Sequence, residues 1–250
     1  MHAAVQKPIP TRLLLDAYRS GIFPMAEARE DSEIFWVEPR ERAVIPLDGL
    51  HLGRSMRRVL ARDRFAVTCD TAFEQVIARC AEPRPDQPDS WISRRIEASY
   101  VALHKAGHAH SIECWQEGEL VGGLYGVAFD RVFCGESMFS RADNASKVAL
   151  AWLVAAMRRA EFCLLDCQFM TGHLASMGAV PIDQAEYLRR VRAARGTPAM
   201  TIADAVAWFQ AVGAGDRVGD GAGDGDAAGA VPAGASSPGK LIAQFLTQTS

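Results

Sequence analysis

Apolar residues three and four apart mark the helices of this chain, and alternating or continuous apolar runs mark its strands. Leu13, Leu14 and Ala17 give Arg12–Ser20 one apolar side, with Thr11 as the predicted cap and Gly21 as the stop. Ile22–Leu50 is irregular, with short extended runs near Ile34–Val37 and Ala43–Pro46. His51–Arg64 has helical spacing that brings Arg54, Arg57 (or Arg58) and Arg62 to one face. Phe65–Cys69 reads as a strand, and Thr71 with Glu74 as a capping box for a helix over Ala72–Cys80. After the Pro-rich loop Ala81–Asp89, the helix Arg94–Ala106 carries Ile96, Tyr100 and Leu103 on one side and stops at Gly107. His110–Gln116, Leu120–Phe129 and Val132–Met138 are separated by tight turns and predict an antiparallel meander. Ala145–Ala160 is the strongest helix, and Phe162–Phe169 is an apolar strand with polar interruptions. Helices follow at His173–Met177, at Gln184–Ala194 with Asp183 and Glu186 as a capping box, and at Ile202–Val212 with Thr201 as cap.

The pattern breaks at Gly213–Gly239. Twenty of these 27 residues are Gly, Ala or Asp and none is aromatic, so the stretch cannot bury a core and reads as a flexible insert. Leu241, Ile242, Phe245 and Leu246 restore apolar character in Lys240–Ser250, predicted to return as an edge strand. The expected organisation is α+β. A small N-terminal domain covers residues 1–61 and a larger mixed-sheet domain covers 62–212. The insert (213–239) and the C-terminal strand (240–250) complete it.

Charge narrows the possible partners. The net charge of −3 gives no global attraction to nucleic acid, so a polyanion site must be a local patch. Arg54, Arg57, Arg58, Arg62 and Arg64 stand against the single acid Asp63, and this tilts the cluster toward phosphate binding over a merely solvated helix face. The six cysteines form no Cys-x-x-Cys pair and have no histidine pair nearby, so neither a zinc site nor any other metal is expected. No apolar run approaches the roughly 20 residues that cross a bilayer, and the first eight residues lack a secretory apolar stretch. A cytoplasmic protein without a membrane partner is expected.

Three acidic or amide side chains stand out. Asp166 and Gln168 interrupt an apolar strand, and a period of two puts them on one face, where they are either a site that deprotonates an amine or a polar pair capping the next turn. Glu136 follows Gly135 in another strand, and either receives a basic ligand or pairs with a neighbour such as Arg141. Gly122, Gly123 and Gly126 either let a ligand approach the sheet or form a bulge, and they match no phosphate-cradling loop. Trp36 and Trp91 line an apolar pocket or plug the core. The histidines, His110 and His173 included, form no triad and read as structural.

Longer runs carry a resemblance. They include Leu13-Leu14-Leu15-Asp16-Ala17-Tyr18 leading to Gly21-Ile22-Phe23-Pro24, Arg54-Ser55-Met56-Arg57-Arg58, Trp91-Ile92-Ser93 and Gly107-His108-Ala109-His110-Ser111-Ile112-Glu113. The densest are Leu120-Val121-Gly122-Gly123-Leu124-Tyr125-Gly126-Val127, Phe133-Cys134-Gly135-Glu136-Ser137-Met138-Phe139-Ser140-Arg141, Asn144-Ala145-Ser146-Lys147 and Leu165-Asp166-Cys167-Gln168. From about Arg12 to Arg190 the chain resembles the bacterial leucyl/phenylalanyl-tRNA–protein transferases. The resemblance implies a GNAT-like larger domain. It also implies transfer of Leu, Phe or Met from aminoacyl-tRNA to proteins with N-terminal Arg or Lys, which marks them for N-end-rule degradation. It implies Asp166 and Gln168 as the catalytic proton relay and Glu136 in the acceptor pocket. Trp91, Met25 and Met138 fall at the aminoacyl-adenosine pocket, and Arg54, Arg58 and Arg62 in the tRNA-holding cluster. Met25 stands where some members carry tryptophan, and Ala61 where members have lysine. An aminoacyl ester is already activated, so no cofactor is implied. The alternatives are an acetyl-coenzyme A-dependent N-acetyltransferase, for which no pyrophosphate-binding loop is found, and a non-catalytic tRNA-binding protein, which would not need Asp166 beside Gln168.

Overall fold

The computed structural model describes residues 7–83, 89–215 and 237–248. The N-terminal piece holds helix α1 (Thr11–Arg19) and an antiparallel pair, β1 (Phe23–Met25) with β2 (Phe35–Val37). The main sheet is built from β3 (Glu41–Ile45), β4 (Ala66–Cys69), β5 (Ala109–Gln116), β6 (Glu119–Phe129), β7 (Val132–Ser140), β8 (Leu164–Asp166) and β9 (Val180–Asp183). Its spatial order is β4-β5-β6-β7-β8-β3-β9. Every neighbouring pair is antiparallel except β7 and β8, which are parallel.

Strand periodicity divides the core into two layers. Ile45, Leu124, Phe133 and Leu165 face one side, where α2 (Arg54–Ala61), α5 (Ala145–Arg159), α8 (Ile202–Gly213) and α9 (Pro238–Thr247) pack. Their neighbours Val44, Tyr125, Cys134 and Leu164 face the other, against α1, α3 (Phe73–Cys80), α4 (Arg94–Lys105) and α7 (Gln184–Ala193). Helix α5 is buried from Ala145 to Met157 except at Lys147, and its alanines let sheet and helices approach closely.

The meander, the helices and the caps at Asp183 and Thr201 match the sequence reading. Other details differ. Pro10, not Thr11, is the cap of α1. The Thr71–Glu74 capping box does not form, and the Ala72 N–H instead donates to the buried Glu113 carboxylate at 3.4 Å. The run predicted as a C-terminal strand is α9, because its apolar positions fit a helical face that packs against α2 and α8. Glu41–Ile45, expected within a small N-terminal domain ending at Ala61, lies inside the main sheet between β8 and β9. Most of the predicted insert, residues 216–236, lies outside the described residues.

All three glycines of β6 serve close packing, and a Cβ at Gly123 would lie 2.8 Å from the Ile112 carbonyl oxygen. A bulge falls between Tyr125 and Gly126, and a Cβ at Gly126 would lie 2.3 Å from the Cys134 carbonyl oxygen. One at Gly122 would lie 2.4 Å from the Ala145 Cβ. Gly126→Ala is expected to cost about 1–3 kcal/mol, read as a lower urea midpoint at unchanged slope. An unchanged midpoint would show that the bulge yields freely.

Candidate active site

The site arises where one strand stops and its neighbour continues. β7 pairs with β8 only over Val132–Cys134, because β8 ends at Asp166 and Gln168 turns the chain away with φ +61°. Gly135–Ser140 of β7 therefore have no strand partner on that side among the described residues, and a cavity of about 890 Å³ opens along them. Leu124, Met138, Leu150, Leu153, Leu165 and Leu174 give it an apolar region, while Glu136, Gln168, Tyr125 and His173 are polar points on its wall.

Among the described residues two carboxylates line this wall: Glu82, which is paired with Arg79 and Arg141, and Glu136, which is buried. Glu136 is 9% exposed, and its Oε1 accepts from the Tyr18 hydroxyl at 2.7 Å and from Gln168 Nε2 at 2.9 Å. Tyr100 donates to Oε2 at 3.1 Å, and the two phenol oxygens also touch each other. Burial pushes the Glu136 carboxyl up to about 7, against the pull of these hydrogen bonds. Burial likewise pushes both phenols well above their usual range, so they are protonated donors. Two phenol protons serve three oxygen–oxygen contacts, so the ring of groups has room for one more proton on Glu136.

Asp166 behaves differently. It is fully buried and paired with Arg42, whose Nε donates to Oδ1 at 3.2 Å and whose second nitrogen binds Oδ2. The Tyr187 hydroxyl donates to Oδ2 at 3.2 Å, and the Gln168 backbone N–H donates to Oδ1 at 2.9 Å. Arg42 is itself fully buried, lies over the Phe23 and Tyr187 rings and donates to the Gly21 carbonyl at 3.3 Å. Asp166 is not among the residues that line the cavity, whereas Gln168 is. Its reach into the site is through Gln168, whose backbone it holds and whose side chain meets Glu136. The expectation that Asp166 and Gln168 share a strand face fails because Gln168 has left the strand.

Met25, Trp91 and Met138 all line the cavity, Met25 from the β1–β2 pair. Arg54, Arg57, Arg58 and Arg62 are exposed on and just beyond α2, whose Met56 and Leu60 are buried, and none forms an ion pair among the described residues. They do not line the cavity. Trp36 is 40% exposed on β2.

The sequence reading missed Tyr18, Tyr100 and Arg42. The tyrosines looked like ordinary members of apolar helix faces, and the available signal is that a buried phenol needs a partner. Arg42 lies 124 residues from Asp166 and carries no local mark of burial.

Comparison with known proteins places most of the chain in one family. A model described as leucyl/phenylalanyl-tRNA protein transferase matches residues 44–192, and one described as the N-terminal domain of that transferase matches residues 9–40. A leucyl/phenylalanyl-tRNA–protein transferase from Novosphingobium aromaticivorans is 58% identical, covering 97% of each chain. One from Zymomonas mobilis is 57% identical over 74% of this chain and 69% of its own. Among solved structures, the C-terminal domain (DUF2156) of a putative lysylphosphatidylglycerol synthetase from Agrobacterium fabrum aligns over 83% of this chain and 71% of that chain. At a TM-score of 0.32 and 11% identity that likeness is too loose to define a fold.

Proposed function

Because the chain belongs to the leucyl/phenylalanyl-tRNA protein transferase family, we infer that its crevice is where leucine or phenylalanine passes from aminoacyl-tRNA to the α-amino group of a protein beginning with Arg or Lys. The observation that carries the reading is the buried carboxylate of Glu136, in the lining of a cavity of about 890 Å³ that can receive only the reacting ends of the two substrates, beside Gly135–Ser140 of β7. An acceptor amine must lose a proton as it attacks the ester carbonyl, and a base titrating near neutral pH is suited to take it. Glu136 has that property, and Gln168 and Tyr125 present further polar groups beside it. Asp166, anchored by Arg42 and Tyr187, acts as a positioning residue for Gln168.

The apolar wall receives the side chain of the transferred amino acid. One methylene there changes affinity by only about 1–3 kcal/mol, so methionine is expected to be accepted with leucine and phenylalanine. Trp91, Met25 and Met138 hold the aminoacyl-adenosine end. We read the main sheet as GNAT-like, on its antiparallel run ending in the parallel β7–β8 pair joined through α5. No helix among the described residues is long and apolar enough to cross a membrane, and the reaction belongs in the cytoplasm, where it marks acceptors for degradation.

The test mixes purified protein with leucyl-tRNA and a peptide starting with Arg, without coenzyme A. Transfer of leucine to the peptide is expected, and tRNA binding without transfer would contradict the reading. The exposed arginines beside α2 are expected to hold tRNA phosphates without reading sequence. Arg54→Ala and Arg58→Ala should each weaken binding and reduce the slope of log affinity against log salt by about 1. An unchanged salt slope would place the tRNA elsewhere.

A further inference from the structure

Two residues that line the cavity, Tyr125 and His173, each hold a buried side-chain polar atom, the Tyr125 hydroxyl and His173 Nε2, that has no hydrogen-bond partner among the described residues. A buried polar atom left unpaired costs free energy that a bound ligand recovers. Tyr125 belongs to β6 and lies within the electrostatic reach of Tyr100 and Glu136, at the acceptor's end. His173 belongs to α6 (Gly172–Ser176), within the influence of the Lys147 ammonium in the first turn of α5. Burial, with Lys147 adding to it, lowers the His173 pKa, so the ring is neutral at pH 7 and offers one donor or one acceptor at Nε2.

Resting on the transferase reading, we propose that His173 is a positioning residue for the donor, its Nε2 hydrogen-bonding an oxygen of the ribose–phosphate end of the aminoacyl-tRNA. The apolar wall takes the amino-acid side chain and Glu136 lies at the amine. The sugar–phosphate end of the same ester needs polar partners. Arg79 and Arg141 in the lining are engaged by Glu82, whereas His173 Nε2 is unpartnered among the described residues, and a neutral imidazole beside a lysine suits an oxygen-rich group. His173→Gln places an amide near the position of Nε2 and keeps the hydrogen bond, whereas His173→Leu removes it.

The experiment measures transfer by wild type, His173→Gln and His173→Leu with two donors, leucyl-tRNA and the leucyl ester of adenosine, at saturating acceptor. Thermal melting confirms that each variant is folded. His173→Leu should raise KM for leucyl-tRNA about tenfold, the size of one lost hydrogen bond, with kcat and the acceptor KM little changed and with His173→Gln close to wild type. A rise with both donors assigns the contact to a ribose hydroxyl, and a rise with leucyl-tRNA alone assigns it to the phosphate. A donor KM within twofold of wild type in His173→Leu, or an equal loss in His173→Gln, would overturn the proposal. Absence of transfer by the wild type would instead refute the transferase reading. In that case, equilibrium binding of adenosine 5′-monophosphate and adenosine to the three proteins still tests His173, with the same expected loss in His173→Leu.

Discussion

Glu136→Gln should lower kcat for leucine transfer by about 10²–10³-fold, while tRNA binding and the fold persist. Glutamine keeps the size of the side chain and still hydrogen-bonds to Tyr18, Tyr100 and Gln168, but it cannot take a proton. Stability should not suffer. The Glu136 carboxyl titrates near its ordinary 4.5 in the unfolded chain and near 7 in the folded one, so the folded state binds more protons between those values. Its contribution therefore falls as pH rises from about 4.5 to about 7, and above pH 7 the variant should melt no lower than wild type. A variant with near-normal turnover would remove Glu136 from the chemistry.

Arg42→Ala should destabilise the protein by about 3–5 kcal/mol, because it leaves the Asp166 carboxylate buried without its cation. For a domain of this size that corresponds to a fall in Tm of the order of 10 °C. Much of that loss is the penalty of an unpaired charge and not the worth of the pair. Arg42→Met combined with Asp166→Leu should therefore recover most of the stability while transfer stays poor, since Gln168 loses the carboxylate that holds its backbone. A double variant as unstable as Arg42→Ala would mean that the bridge stabilises outright. One with full activity would mean that Gln168 needs no anchor. Arg42 also binds the Gly21 carbonyl and covers Phe23, so the same substitution should loosen the N-terminal piece that carries Tyr18.

Local patterns in the sequence predicted most of the elements. The meander followed from turn spacing, α5 from its apolar length, and the caps of α7 and α8 from Asp183 and Thr201. What stayed hidden depends on distance along the chain. The apolar C-terminal run fits a strand or a helix equally until α2 and α8 are there to receive it. Glu41–Ile45 looked like part of the N-terminal piece because a gap in the sheet, between β8 and β9, has no local signature. In the site, Glu136 and Gln168 stood out as polar interruptions of apolar strands and Trp91, Met25 and Met138 came from the family resemblance, and all five line one cavity. Asp166 was named as well, but its buried partner Arg42 was not, because the two lie far apart in the sequence.

The pH dependence of kcat/KM for the acceptor, in wild type, Asp166→Asn and Glu136→Gln, weighs these two carboxylates against each other. Two acceptor peptides whose α-amines differ in pKa separate the enzyme's titration from the substrate's. The expected profile has a limb rising through about pH 7 that stays in place when the acceptor is changed, survives in Asp166→Asn at reduced rate, and disappears in Glu136→Gln. A limb that persists in Glu136→Gln and vanishes in Asp166→Asn would return the proton to the other carboxylate.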